Sequence, residues 1–457
     1  MKQKKKSTFK ISLKTIFEFF KNTPIIPSRG YFPLWSGPPK RGLGEDFMKF
    51  CSFKSILINN HIKIFKTTLI GLVICLSSCS EEEPSLTESF FKIYDNSNFD
   101  LSYDPIDVVE IIDGYIILTG TEQDNSDFDG IQLIRLDAEG NFVSSSLDSE
   151  LNNYEAPIGD MYFDATDSTI YFFAKNAATT DAVLISVNPS LEVQNATLLG
   201  GINYPLSASS TSSGTLLIQS YDPVSLQTEI SEITLGASVN NTAQYSIGAG
   251  DDVEEDVINH FLEANVNPLP FFCGEISPGN YYFNGFYNYS FSLVFTNFGG
   301  SPTGVVSGQA TNAGLRAMMP LSGGSFAIAG FQYDDNYQLS SNPLSAGNVG
   351  DIYPGNMTEL RPYTTTKIFS YSTTSSTYTV FASETKGNQV ALHFYNSGTG
   401  EIEGVHYIGY LNRFNLGSVK VTEDESILVM GTTFVAGRFE RIFLNKISKS
   451  EIGGILN

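Results

Sequence analysis

The hydrophobic pattern of the chain is built from short extended segments joined by tight polar turns. Its strongest apolar runs open at Tyr115, Ile170, Leu216, Tyr281, Phe326, Tyr378 and Ile427, at intervals of 45 to 65 residues. Each run follows a small or polar turn, as in Asp113-Gly114, Ser168-Thr169, Gly324-Ser325 and Glu425-Ser426. Such residues tolerate the left-handed or Asx-turn backbone that a two-strand reversal requires. Each run therefore reads as the second arm of a hairpin.

The units continue alike beyond the hairpin. The first passes from Gly114–Gly120 through a loop to Ile131–Asp137, a turn at Ala138–Asn141 and a fourth segment from Phe142. Four strands per unit at this period is the arithmetic of a β-propeller blade, which must stack on neighbours to cover both its faces. The expected fold is all-β: a propeller, preferably of seven four-stranded blades, over 88–457, with a pair of β-sandwiches as the weaker alternative. The last unit offers three strands, so Phe90–Tyr94 is expected to supply its missing outer strand and remove two open edges. In the fifth unit no third strand is apparent in the polar stretch from Asp334 to Thr364.

Residues 108–141, with Asp113-Gly114-Tyr115-Ile116 and Leu136-Asp137 followed by Gly140-Asn141, resemble a blade repeat of secreted and surface proteins of Bacteroidetes-type bacteria. That resemblance implies a propeller with the strand before Asp113 innermost.

Composition sharpens this picture. The chain is 41% hydrophobic, 13% aromatic and 17% charged, which fits an ordered domain and not a disordered chain. The net charge of -22 conceals a split. Residues 1–78 carry 14 Lys and Arg against three acids, a balance of +11, and residues 79–457 carry -33. A body so acidic repels a phosphate backbone, which excludes nucleic acid as a partner.

The basic head has its own order. Lys49, Lys54, Lys63 and Lys66 precede the apolar run Leu69–Leu76, and Ser77-Ser78-Cys79 follows. That run is too short for a permanent membrane helix, which needs roughly 20 residues, and suits a signal peptide. Leu76-Ser77-Ser78-Cys79 resembles the lipobox of bacterial lipoproteins, which implies lipidation of Cys79. Ser80, Glu81, Glu82 and Glu83 resemble the export signal that places such lipoproteins on the outer face of the outer membrane. The expected organisation is an extension outside the mature protein (1–47), a lipoprotein signal peptide (48–78), an acidic tether (79–87) and the propeller. Lipidation of Cys79 would leave Cys273 alone in the mature chain, without a disulfide partner.

Chemistry is sparse. His260, His393 and His406 show no metal-ligand spacing, and nucleophile-elbow and phosphate-loop motifs are absent. Asp124, Asp127 and Asp129, before Gly130, form a candidate Ca²⁺ loop of hard oxygen ligands. The acidic stretch 250–261 reads as a short helical connector. Tyr287 and Tyr289 end the densest aromatic run and are candidates for stacking on a sugar ring. These features favour a lipid-anchored, surface-exposed, non-catalytic body that binds a glycan or a partner protein. The rival is an exported carbohydrate-active hydrolase or lyase with an acidic axial pocket.

Overall fold

The computed structural model describes residues 89–94, 102–121, 128–146, 151–248, 253–262, 269–310, 312–333, 335–344, 347–352, 355–434 and 440–456. The body is all-β. Among the described residues the chain makes seven consecutive antiparallel meanders. Their first strands are Tyr103–Ile111, Tyr154–Asp164, Pro205–Ser210, Phe272–Ser277, Ala313–Pro320, Thr366–Ser372 and Phe414–Val421. The first two meanders are joined into one sheet by a single pair, Gly130 with Glu155. The predicted apolar runs are the second strands of the seven meanders, Gly114–Thr121 through Ile427–Phe434.

These second strands lack simple alternation because both of their faces are covered. In Gly114–Thr121 all residues but the last are buried. At least one apolar cluster lies between each pair of neighbouring meanders, and two join the third and fourth. Ile116, Leu118 and Phe172 pack between the first and second, and Phe173, Leu184 and Ile218 between the second and third. The series returns to its start, because Val108, Ile117 and Leu136 of the first meander pack on Leu428, Met430 and Leu444 of the seventh. The first strands likewise touch in sequence, and Tyr103–Ile111 touches Phe414–Val421. Each fully buried Leu, Ile or Phe contributes about 1.5–3 kcal/mol, so these interfaces dominate the cohesion of the body.

One interface is thin. Between the fifth and sixth meanders the apolar cluster reduces to Ala327, Ala329, Phe381 and Tyr395 with partly buried neighbours. Polar contacts supplement it. Gln338 donates to Ser383 Oγ at 3.0 Å, and Tyr395 donates to Gln338 Oε1 at 3.2 Å.

The fifth meander corrects one expectation. Asp335–Pro343 does form a third strand, paired with Ser325–Gln332. Its buried residues include Asn336 and Gln338 as well as Tyr337, so polarity hid it from a hydrophobic reading. Beyond it, Gly347–Asn348 pairs in parallel with the outer strand of the fourth meander.

The seventh meander is completed by Phe90–Tyr94, paired antiparallel with Glu440–Ile447 from Phe90 opposite Lys446 to Tyr94 opposite Ile442. Ser89 Oγ accepts from Ser448 N at 3.0 Å and donates to Glu451 Oε2 at 2.7 Å, which ties the strand's start to the C-terminal helix α2 (Lys449–Ile455). The Asp113-Gly114 and Leu136-Asp137 motif has a local cause. A Cβ at Gly114 would sit 2.1 Å from Leu136 O. Asp137 caps its turn by accepting from Asn141 N at 2.7 Å and Glu139 N at 3.1 Å.

Backbone bonds between neighbours recur on the chain at or before the start of several first strands. Ala156 N donates to Asp129 O at 2.7 Å, Tyr204 N to Thr180 O at 2.8 Å, Met357 N to Asn336 O at 2.7 Å and Phe414 N to Asn388 O at 2.9 Å. They bring the starts of first strands beside the second-hairpin tips of the preceding meanders, on what is called here the upper face. The predicted connector helix, α1 (Glu254–Leu262), packs Val257 with Tyr204, Tyr221, Phe271 and Phe291.

Candidate functional site

Two polar clusters and a set of exposed tips carry the chemistry of the body. The deeper cluster joins three first strands. Asp107 is fully buried. Its Oδ1 accepts from Ser418 Oγ of the seventh meander, and its Oδ2 accepts from Met161 N of the second at 2.8 Å. Lys420 Nζ lies 3.0 Å from Asp107 Oδ2 and 3.6 Å from Asp160 Oδ1. Burial opposes the charge on Lys420, but Asp107 and then Asp160 outweigh it and hold the ammonium above its ordinary pKa. The carboxylate is thus fully engaged as a clasp.

The second cluster lies at the upper ends of the fifth, sixth and seventh meanders. Arg361 Nη2 pairs with Glu384 Oε2 at 2.6 Å, and Glu384 Oε1 accepts from Leu416 N at 2.8 Å. Asn415 Oδ1 accepts from Arg361 Nη1 at 3.2 Å, Arg361 Nη2 at 3.3 Å and Arg413 Nε at 2.9 Å. The other end of that amide donates to Thr432 Oγ1 at 3.1 Å and Glu440 Oε1 at 3.2 Å. Arg316 stands over the rings of Phe331 at 4.6 Å and Tyr363 at 5.5 Å, and burial lowers its pKa to about 10. Beside this network, burial and then the charges of Asp129 and Glu440 push Asp104 up to about 7.

The tips are aromatic. Tyr289 is 63% exposed and Tyr333 is 65% exposed, at the second hairpins of the fourth and fifth meanders. Both have left-handed backbone, φ 68° and 54°. Tyr289 N donates to Ile247 O at 2.6 Å, and Tyr333 N donates to Asn312 O. The turns are therefore held by the connections beside them while the rings face solvent. Tyr287, the other predicted stacking residue, packs edge-on against Tyr245 with centroids 6.0 Å apart and is half-buried. Sequence reasoning missed Tyr333, which has no aromatic run around it.

The remaining predicted residues distribute as follows. Cys79, Ser80, Glu81, Glu82 and Glu83 lie outside the described residues, as do Asp124 and Asp127. Asp129 sits at the upper face near Asp104. No group of three His, Cys, Asp or Glu is placed to hold a metal among the described residues. His393 is buried, with Nε2 2.6 Å from Glu359 Oε1. His260 lies edge-on against Phe271, 4.8 Å between centroids, and burial lowers its pKa to about 4. No described helix is long and apolar enough to cross a membrane.

No family model matches the chain, and no curated protein matches it. Solved structures similar to it include the β-propeller domain of the Trilobed protease from Pyrococcus furiosus. That match has 10% identity and a TM-score of 0.42, and covers 75% of this chain and 93% of that one. Prolyl oligopeptidase B from Galerina marginata is 9% identical with a TM-score of 0.41, over 85% of this chain and 57% of that one. A Bacteroides caccae protein of unknown function is 13% identical with a TM-score of 0.34, over 65% and 90%.

Proposed function

We propose that this chain is a seven-bladed β-propeller, anchored by lipid at Cys79 on the outer face of the outer membrane, whose upper face binds a glycan without chemically altering it. One observation carries the binding reading: Tyr289 and Tyr333 stand exposed at equivalent hairpins of adjacent units, on turns fixed by backbone bonds. Rigid exposed rings offer large contact area with little ordering cost and stack well on the apolar face of a pyranose. The charged side chains of the two polar clusters include the pairs Arg361 with Glu384 and Lys420 with Asp107, which suits a scaffold. A partner protein is the second occupant that such tips would suit.

A glycan array with the soluble body from Thr87, followed by Tyr289→Ala and Tyr333→Ala, tests the binding. Each substitution should weaken capture at least tenfold, and full retention in both would remove the tips from the site. Replacing Cys79 with Ser should abolish palmitate labelling and release the protein from membranes; persistent labelling would refute the anchor.

A hydrolytic reading has one observation in its favour. Asp104, pushed up to about 7 beside Asp129 and Glu440, has the pKa suited to a general acid. If it works so, an oligosaccharide bound by the wild type is cleaved with a pH profile that Asp104→Asn abolishes.

A further inference from the structure

We infer that the Arg361–Arg413 corner of the upper face seats a single carboxylate carried on the bound glycan. The inference rests on the glycan reading above and assigns the ligand's charge.

Residues 79–457 contain six arginines in a body of net charge -33. Three of these, Arg316, Arg361 and Arg413, gather electrostatically around Glu384. Glu384 and Glu440 are the acids bonded into the network, matching the two arginines bonded there, Arg361 and Arg413. The two guanidinium groups of Arg361 and Arg413 also share one neutral acceptor, Asn415 Oδ1. After burial, the charge of Arg413 counts among the causes that lower the pKa of Arg361, with Glu384 opposing. A further anion would relieve that repulsion.

The open valence is on Arg413. Its side chain is exposed, and its Nε is fixed on Asn415. Its terminal nitrogens have no partner among the described residues. Arg361 Nε is buried and likewise has no hydrogen-bond partner there. A guanidinium held through Nε presents its other donors in a planar fork, the geometry that a carboxylate accepts. Tyr363 is partly exposed beside Arg316, and Tyr410, 79% exposed, precedes Arg413 by three residues.

The surrounding charge narrows the ligand further. The charge of -33 repels a polyanion that lies along the surface, through a field that salt screens beyond about 8–10 Å, while a fork contact to one carboxylate acts at hydrogen-bond distance. The seat therefore suits an isolated acidic sugar, such as one uronate residue, and not a run of sulfates or phosphates.

Calorimetry on the soluble body decides this, with a glucuronate-ended oligosaccharide, its neutral glucose-ended counterpart and a peptide ending in aspartate as probes. The acidic sugar should bind at least tenfold tighter than the neutral one. Arg413→Gln should erase that preference. Arg413→Lys should restore only part of it, because an ammonium lacks the fork. Equal affinity for the two sugars, or an undiminished preference in Arg413→Gln, would sink the carboxylate seat and leave the glycan reading standing. Failure to bind any sugar would overturn both. Peptide binding stronger than either sugar would overturn the glycan assignment as well.

Discussion

Asp107 and Ser418 are 311 residues apart in the chain, yet their side chains are hydrogen-bonded inside the protein. The contact joins the first strand of the first meander to the first strand of the last. With Met161 N and Lys420 on the same carboxylate, it ties together the second, first and seventh units. Asp107→Asn should cost about 3 kcal/mol, because it leaves Lys420 without its close counter-ion. Ser418→Ala should cost about 2 kcal/mol through loss of a hydrogen bond to a charged group. Urea unfolding measures both, and a loss under 0.5 kcal/mol in Asp107→Asn would mean the clasp is dispensable.

Asp104 sets a pH dependence of definite sign. Its folded-state pKa is raised to about 7, above the ordinary carboxyl value. The stability it contributes is present below pH 4 and is lost as pH rises through 7. Asp104→Asn should therefore stabilise the protein at pH 8, by about 2 kcal/mol once partial exposure is allowed for, and change little at pH 4. Melting curves at the two pH values check it, and an equal shift at both would contradict the assignment.

The thin interface between the fifth and sixth meanders should be the first to yield. Phe381 is fully buried there among few apolar neighbours. Phe381→Ala should cost about 3–5 kcal/mol. Burial, partly offset by Glu359, keeps the pKa of His393 below its ordinary value. A depressed histidine makes folding less favourable as pH falls below about 6.5, where the unfolded chain takes up the proton. Thermal melts from pH 7.5 to 5 should show that decline, shallower in His393→Gln. Identical slopes in the two proteins would exclude His393 as a contributor.

The N-terminal strand depends on a glycine. Gly140 has φ 73°, and a Cβ there would lie 2.6 Å from the ring of Phe90. Gly140→Ala should displace Phe90, cost about 1–3 kcal/mol and raise amide exchange over Phe90–Tyr94. Unchanged protection of that strand would show that the ring shifts without loosening the pairing.

Much of the scaffold was legible because its second strands are covered on both sides and their apolar runs are unbroken. Ile116, Phe172, Ile218, Phe283, Ile328, Val380 and Val429 each have at most 1% exposure. Strand Asp335–Pro343 escaped because Gln338 is satisfied by Ser383 and Tyr395, partners contributed by another unit. The polar clusters escaped for the same reason at longer range. Asp107, Ser418, Arg361, Glu384 and Asn415 come together only when distant meanders meet. Tyr289 was legible from the density of aromatics around it. Its neighbour Tyr287 differs only in being turned inward onto Tyr245, and a count of rings cannot see that.

The direction of Phe90–Tyr94 has a mechanical consequence. Phe90 pairs with Lys446, close to the end of its partner strand and on the side away from the tyrosine tips. A load applied at Ser89 along the strand's axis would be borne by this ladder. Under such a load the ladder is strained in shear, and its rungs must give way together instead of peeling one after another. On the proposed anchoring, that load falls on the pairing of Phe90–Tyr94 with Glu440–Ile447.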